Sequence, residues 1–233
     1  MSELVLTETS DAVATITINR PEKRNALSID LRGALAGAFE AAASDANVAV
    51  VVLTGAGSAF CAGMDRTQFG GDRDNRTALY DSTRLLFDTL IHLPLPVVAA
   101  VNGPALGGGF DLACVCDLRI AAPQASFGHP EITFGVPPSY GALLRVLPDQ
   151  IARELAFTGR TINAEEALAL GIVREVQADS LARAQALARE IAQQGRTVLE
   201  QTKRIMIEAG GGTADRALDA EMELFRSVLF RDL

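Results

Sequence analysis

The first two thirds of the chain alternate short apolar runs with segments of helical periodicity. The apolar runs are typical of β-strands, and they lie at residues 4–7, 13–19, 48–53, 97–101 and 117–121. Between them, apolar residues recur every three or four positions from Leu31 to Ala42 and again from Leu79 to Leu93, as on one face of a helix. Short buried strands that alternate with helices predict a largely parallel sheet covered by helices, so the predicted fold class is α/β.

From about residue 139 onward the pattern is almost entirely helical. Asn163 and Glu166 stand at the spacing of a capping box, and Gly171 is positioned as a helix end. Only residues 172–176 look extended there. Amphipathic helices follow, with apolar residues at 181, 187 and 191, at 198, 205 and 206, and at 218, 222, 225 and 229.

No linker, repeat or low-complexity segment divides the chain. We therefore predict one domain over residues 1–233, with an α/β core over about 1–175 and a helical region over about 176–233. The length of 233 residues, 48% of them hydrophobic, is enough for one sizeable core. Because no apolar run is long enough to span a membrane and the first residues lack the pattern of a secretion signal, we expect a cytoplasmic protein without membrane association.

The net charge and the cysteines argue against several classes of function. A net charge of -8 argues against general binding of nucleic acid or anionic membranes, because both need a basic surface. Cys61, Cys114 and Cys116 form an odd set without a C-x-x-C pair, which favours packed, reduced thiols. His129 and Glu131 match half of a zinc deaminase motif, but the cysteines precede them at the wrong spacing, so we predict no metal site.

Two glycine-containing loops follow buried strands, at residues 54–64 and 102–109. Ligands of α/β proteins gather at such strand ends. A helix beginning at Gly108 would aim its positive end and uncovered N–H groups at an anion, which predicts an oxyanion hole. A G-x-G-x-x-G motif for dinucleotide binding that starts at Gly107 is incomplete, because Leu112 occupies the position of its last glycine.

Two carboxylates stand near these loops in sequence, Asp111 and Glu131. Such a pair can share general acid and base work. Each also has an ordinary explanation, since acidic residues favour the first turn of a helix and a lone glutamate is common in surface turns. With only His92 and His129 in the chain and no G-x-S-x-G motif, a serine hydrolase triad is poorly supported.

Several segments together resemble the crotonase family, also called the enoyl-CoA hydratase/isomerase family. They are NRPEKRNAL (19–27), GSAFCAGMD (57–65), PVVAAVNGPALGGG (96–109), CD (116–117), FGHPE (127–131) and GVP (135–137). They occur in the family's order from the first strand to nearly the last residue. The resemblance implies a spiral of β-β-α units followed by a helical trimerisation region, assembled as a homotrimer or homohexamer.

The resemblance also implies roles for backbone groups and for a basic turn. The oxyanion hole would consist of the N–H groups of Met64 and Gly108, which would bind the carbonyl oxygen of an acyl-CoA thioester. Lys23 and Arg24 match positions near the coenzyme A phosphates, and the backbone of Ala62 matches one near the adenine. Coenzyme A is here part of the substrate, so no separate cofactor is expected.

In hydratases of this family two glutamates position one water, which adds across a double bond. Here the second is Glu131 and the first is replaced by Asp111, whose carboxyl group is set back by roughly 1 to 1.5 Å. A displacement of about 1 Å can cost ~100-fold in rate. Hydration of a 2-enoyl-CoA is the leading prediction. The alternatives are a double-bond isomerase, a decarboxylase, a thioester hydrolase, or a non-catalytic acyl-CoA-binding subunit.

Three further features bear on substrate binding. After Pro137 the chain departs from the family pattern, and Ser139 or Tyr140 is expected to alter water placement or substrate selection. The sequence ends at residues 230–233, where typical members run on into another helix, so we expect the nucleotide end to be held differently. An apolar, partly aromatic acyl pocket is predicted from Met64, Phe69, Phe110, Phe134 and Tyr140.

Overall fold

The computed structural model describes residues 3–210 and 213–230. The strands are β1 (Val5–Ser10), β2 (Val13–Ile18), β3 (Val50–Gly55), β4 (Val97–Val101), β5 (Ala105–Leu106), β6 (Leu118–Ala121), β7 (Ser126–Gly128), β8 (Thr161–Asn163) and β9 (Glu175–Val176). The helices are α1 (Ile29–Ser44), α2 (Arg73–Ile91), α3 (Gly108–Val115), α4 (Tyr140–Leu144), α5 (Asp149–Thr158), α6 (Ala164–Ala169), α7 (Ser180–Ala192), α8 (Arg196–Ala209) and α9 (Thr213–Leu229). Short 3-10 helices lie at Pro21–Lys23, Arg66–Gln68 and Pro130–Phe134.

The main sheet has six strands in the order β1-β2-β3-β4-β6-β9. β1 is antiparallel to β2, and every other neighbouring pair is parallel, as the sequence pattern predicts. Alternate residues of β3 enter two separate apolar clusters, with Val51 and Leu53 in one and Val50 and Val52 in the other. Both faces of this strand are therefore buried, which explains its continuous apolar run.

A second layer of short strands lies between the main sheet and the helices that follow it in sequence. β5 pairs with β7, and β7 pairs with β8. Single parallel bridges between Leu27 and Met64 and between Cys61 and Ala105 continue this layer. The chain therefore repeats a main-sheet strand, a second-layer segment and a helix, which is the β-β-α unit predicted from the resemblance.

The predicted helix boundaries are largely confirmed. Ser28 caps α1 by accepting a hydrogen bond from the Leu31 N–H, and Asn163 caps α6 in the same way. Gly171 follows α6 with a φ of 78°, a conformation that favours glycine. α2 ends at Ile91, before Leu93. The short strand β8 was not predicted, because three residues are too few to show an alternating pattern.

The predicted helical region carries α7, α8 and α9. α7 packs across β2, β3, β4 and β6, while α9 packs against α2 and α4. Within the described part of the chain, no helix is both long enough and apolar enough to cross a membrane. Of the C-terminal segment 230–233, residues 231–233 lie outside the described residues.

Helix α8 is attached to the main sheet by a partly buried ion pair. The Lys203 ammonium group donates to both carboxylate oxygens of Asp117, and its side chain is only 6% exposed. Asp117 also accepts from the Val97 N–H at 2.7 Å, at the start of β4. The pair therefore connects the helical region to a central strand.

We expect Lys203→Met to lower the free energy of unfolding by about 3 kcal/mol, because it leaves the Asp117 carboxylate without its cation. Urea denaturation measures the change. Arg204→Met is the control on the same helix, since Arg204 forms only an exposed pair with Glu208 at 3.8 Å and should lose less than about 0.5 kcal/mol. Equal losses in the two variants would contradict the stabilising role of Lys203.

Candidate active site

A cavity of 540 Å³ lies where the second-layer segments meet α2, α4 and α9. It opens beside the segments that follow β3 and β4, as predicted from the glycine-containing loops. The predicted site residues that line it are Ala62, Met64, Phe69, Gly108, Asp111, Glu131, Phe134 and Ser139. The cavity therefore brings together residues from five separate parts of the sequence.

The two glycine-containing segments, residues 54–64 and 102–109, cross so closely that no side chain fits at Gly63 or Gly109. A Cβ atom on Gly109 would lie 2.1 Å from the Cys61 carbonyl oxygen, and one on Gly63 would lie 2.6 Å from the Leu106 carbonyl oxygen. Gly63 also has a φ of 90°, which favours glycine. Side chains at these positions would force the two segments apart.

The crossing leaves two backbone N–H groups beside the cavity. Met64 and Gly108 both line it, and a Cβ atom on Gly63, the residue before Met64, would lie 3.4 Å from the Gly108 nitrogen. Among the described residues, neither the Met64 nor the Gly108 N–H donates to a protein acceptor. Gly108 also begins α3, whose positive end favours negative charge at this point. These two donors are available to a ligand oxygen.

Glu131 places its carboxylate against the same crossing. A Cβ atom on Gly107 would lie 3.0 Å from Glu131 Oε2, so the missing side chain leaves room for the carboxylate. Gly107 also has a φ of 52°, which favours glycine. Burial raises the pKa of Glu131 to about 7, and the charge of Asp111 adds to the increase while His129 opposes it. Glu131 can therefore exchange a proton near neutral pH.

Asp111 lies in the first turn of α3 and is bound by a histidine. His129 Nε2 donates to Asp111 Oδ1 at 2.7 Å, and the ring of His129 is fully buried against Phe110. Burial alone lowers the pKa of His129, but the charge and hydrogen bond of Asp111 outweigh it, so this pKa lies above its ordinary value. The hydrogen bond from the His129 ring restrains the shortened carboxylate. Sequence reasoning weighed His129 as a metal ligand and as a member of a hydrolase triad, and missed this contact.

Comparison with known proteins identifies the family. The family model described as Enoyl-CoA hydratase/isomerase matches residues 8–232. This chain belongs to the enoyl-CoA hydratase/isomerase family. The 2,3-dehydroadipyl-CoA hydratase of Escherichia coli is 35% identical over 225 residues, which cover 90% of this chain and 86% of that protein. The short-chain-enoyl-CoA hydratase of Clostridium acetobutylicum is 35% identical over 231 residues, covering 95% and 87% respectively.

Solved structures of the family confirm the fold. An enoyl-CoA hydratase/isomerase from Xanthobacter autotrophicus Py2 superposes with a TM-score of 0.88 at 34% identity, covering 98% of this chain and 88% of that one. A relative from Mycobacterium paratuberculosis superposes with a TM-score of 0.87 at 30% identity, covering 99% of both chains. The predicted α/β crotonase fold with a helical C-terminal region is therefore correct.

The basic turn predicted to meet coenzyme A lies outside the cavity. Lys23 and Arg24 are exposed at the Pro21–Lys23 turn. The Arg24 carbonyl accepts from the Ala62 N–H at 3.0 Å, which joins this turn to the cavity-lining segment. Because the Ala62 N–H already donates in this bond, the Ala62 carbonyl is the backbone group that can accept a hydrogen bond from an adenine. Contact with coenzyme A stays a prediction.

Two of the aromatic residues predicted for the acyl pocket do not line the cavity. Phe110 is fully buried in the core, with its ring 5.5 Å from that of Phe127. Successive helical side chains point about 100° apart, so Phe110 cannot face the cavity together with Asp111. Tyr140 faces away, because its hydroxyl donates to Asp149 on α5. We correct both assignments.

The other predicted aromatic residues do line the cavity. Phe69 packs edge to face with Phe225 of α9, with ring centroids 6.3 Å apart. The ring of Phe134 lies under the Arg66 guanidinium at 4.3 Å. The cavity is therefore partly aromatic, and α9 supplies part of its wall.

Helix α9 also contributes a carboxylate that sequence reasoning missed. Glu221 lines the cavity and accepts from the Ser139 hydroxyl at 2.7 Å and from the Gly141 N–H. Burial raises the pKa of Glu221, while the bonds from Ser139 and Gly141 oppose the increase. An acidic residue between Leu218 and Met222, in the apolar stripe of α9, was the signal that could have identified it.

We expect Gly109→Ala to destabilise the protein by more than about 2 kcal/mol, because the added methyl group would overlap the Cys61 carbonyl oxygen. Urea denaturation measures the loss. In the control variant Gly37→Ala, the new methyl group on α1 has no neighbour within 4 Å and should instead stabilise by about 0.5 to 1 kcal/mol. If Gly109→Ala proved as stable as the unmodified protein, the close crossing would be refuted.

Proposed function

We propose that this chain adds water to a 2-enoyl-CoA thioester and produces a 3-hydroxyacyl-CoA. The main support is that the Met64 and Gly108 N–H groups, which have no protein acceptor among the described residues, belong to the lining of a cavity that also contains the carboxylates of Asp111 and Glu131. The names of two relatives, a 2,3-dehydroadipyl-CoA hydratase and a short-chain-enoyl-CoA hydratase, support the same reaction class.

In the proposed reaction the thioester carbonyl oxygen accepts hydrogen bonds from the Met64 and Gly108 N–H groups. When the water oxygen bonds to C3, the electron pair of the C2–C3 double bond moves toward the carbonyl and leaves an enolate. Donors that are already oriented stabilise this oxyanion without further reorganisation. The N-terminal end of α3 adds a favourable field at the same oxygen.

We propose that Glu131 transfers a proton from the water to the substrate. As the water oxygen bonds to C3, the ionised Glu131 carboxylate takes one proton from the water and becomes a carboxylic acid. Glu131 then returns that proton to C2 of the enolate, so the enolate collapses to the thioester and the enzyme regains its initial state. Asp111, restrained by His129, accepts a hydrogen bond from the second hydrogen of the water.

The substrate beyond the reacting atoms is assigned by family resemblance. The phosphates of coenzyme A are proposed to meet Lys23 and Arg24, and the adenine to meet the Ala62 backbone. Coenzyme A enters as part of the substrate, and no separate cofactor takes part in the scheme. A homotrimer or homohexamer is the proposed assembly.

One observation favours a second candidate, a double-bond isomerase. Asp111 Oδ1 already accepts a hydrogen bond from His129, and the side chain is one methylene shorter than the glutamate of family hydratases. If Asp111 cannot reach the water, Glu131 alone could move a proton between C2 and C4 of a 3-enoyl-CoA. That reaction uses the same oxyanion hole.

Substitution of the two carboxylates should separate these candidates. Loss of the conjugated-thioester absorbance of short 2-enoyl-CoA substrates measures hydration. We expect Glu131→Gln to reduce kcat by about 1000-fold, because general acid and base catalysis is lost. Asp111→Asn should cost about 10-fold or more, and Glu165→Gln, at an exposed position on α6, is the control.

An inactive Glu131→Gln together with a fully active Asp111→Asn would favour the isomerase. Full activity in both variants would contradict a catalytic role for the two carboxylates. A protein that binds acyl-CoA but turns over none of it would instead be a binding subunit.

The pH profile should report the ionisation of Glu131. Because water attack needs the ionised carboxylate and the pKa of Glu131 is raised to about 7, kcat/KM should rise with pH through about pH 7. The charge of Asp111 contributes to that raised pKa, so in Asp111→Asn the rise should move to lower pH. A profile that is flat around neutral pH would exclude Glu131 as the base.

A further inference from the structure

The wall that α9 presents to the cavity is apolar except at one position. Leu218, Met222 and Phe225 line it with hydrocarbon surface, and Glu221 places a carboxylate among them. Burying a carboxylate in apolar surroundings is costly unless hydrogen bonds or a cation compensate it. No step of the proposed hydration uses this group.

Close packing holds Glu221 in place. A Cβ atom on Gly141 would lie 2.5 Å from the Ala217 Cβ and 3.0 Å from Glu221 Oε1, so α4 and α9 meet where a glycine permits it. The Ser139 hydroxyl and the Gly141 N–H each donate to one oxygen of the Glu221 carboxylate. The group is therefore oriented by its surroundings.

The compensation of this carboxylate is incomplete. A carboxylate can accept about four hydrogen bonds, and this one accepts from the Ser139 hydroxyl and the Gly141 N–H, with a further contribution from the Tyr140 N–H. No ion pair between described residues includes Glu221. Since Glu221 lines the cavity, a ligand can supply the missing donor.

We propose that Glu221 and Ser139 form a polar subsite for a hydroxyl group on the acyl chain of the substrate. A hydroxyl can donate to the carboxylate while the Ser139 Oγ stays within the same hydrogen-bond network. This inference rests on the proposed function in one respect, that the cavity holds an acyl-CoA.

The charges around the cavity argue against an acyl chain that ends in a carboxylate. Such a chain would bring a negative charge toward Glu221, and the carboxylates of Asp111 and Glu131 line the same cavity. Among the described residues that line the cavity, the cationic ones are Arg66 and Arg145, and both are exposed. The polar subsite therefore favours a neutral donor over an anion.

Binding of saturated acyl-CoA thioesters tests the subsite without requiring catalysis. A matched series of short chains, each ending in a methyl, a hydroxyl or a carboxylate group, is titrated by calorimetry. We expect one hydroxyl-terminated thioester to bind about 10-fold more tightly than its methyl-terminated counterpart, as for a hydrogen bond to a charged acceptor. The carboxylate-terminated thioester of the same length should bind most weakly.

Three variants assign the preference to the proposed groups. Glu221→Met should abolish or reverse the preference for a hydroxyl, and Ser139→Ala should weaken it. Asp219→Asn is the control on α9, because it removes an exposed ion pair with Arg84 at 2.7 Å and leaves the cavity untouched. If the thermal transition of Glu221→Met shows that this variant does not fold, Ser139→Ala alone tests the proposal.

Each result bears on one of the two proposals. Equal affinity for hydroxyl and methyl endings at every chain length, or an unchanged preference in both cavity variants, would overturn the subsite while leaving hydration intact. A retained preference in a protein that hydrates no 2-enoyl-CoA would refute hydration and support the subsite. Failure to bind any of the thioesters would overturn both.

Discussion

The close crossing of two glycine segments is the constraint on which the rest of this structure depends. Gly63 and Gly109 let the segment after β3 and the segment after β4 approach until carbonyl oxygens occupy the space of missing side chains. That approach places the free N–H groups of Met64 and Gly108 beside one cavity. It also leaves room beside Gly107 for the Glu131 carboxylate.

The ionisable groups around the cavity differ in their environments. Glu131 is desolvated and has a pKa raised to about 7, whereas Asp111 accepts a hydrogen bond from a buried histidine. Groups of one chemical type can take different roles when their surroundings separate their ionisation. His129 thus restrains the side chain that the replacement of glutamate by aspartate shortens. The same pair explains why an isomerase is a reasonable second candidate.

The part of the cavity beside α9 is built by elements that lie far apart in sequence. Phe69 follows β3, Ser139 precedes α4, and Glu221 and Phe225 belong to α9. These contacts make α9 a wall of the site as well as part of the helical region. Of the aromatic residues predicted for the pocket, Phe69 and Phe134 line the cavity, whereas Phe110 and Tyr140 do not. Hydrophobicity predicts burial, but not whether a side chain faces a cavity or the core.

Local pattern determined the α/β class, the helix caps at Ser28 and Asn163, and the two glycine segments after buried strands. These features depend on neighbouring residues, so periodicity and backbone preference are enough to predict them. Family resemblance added the expected positions of the oxyanion hole and of the catalytic carboxylates. Only the tertiary structure decided that His129 binds Asp111 and that Glu221 joins Ser139. Those contacts depend on how separate elements pack, and no local spacing encodes that packing.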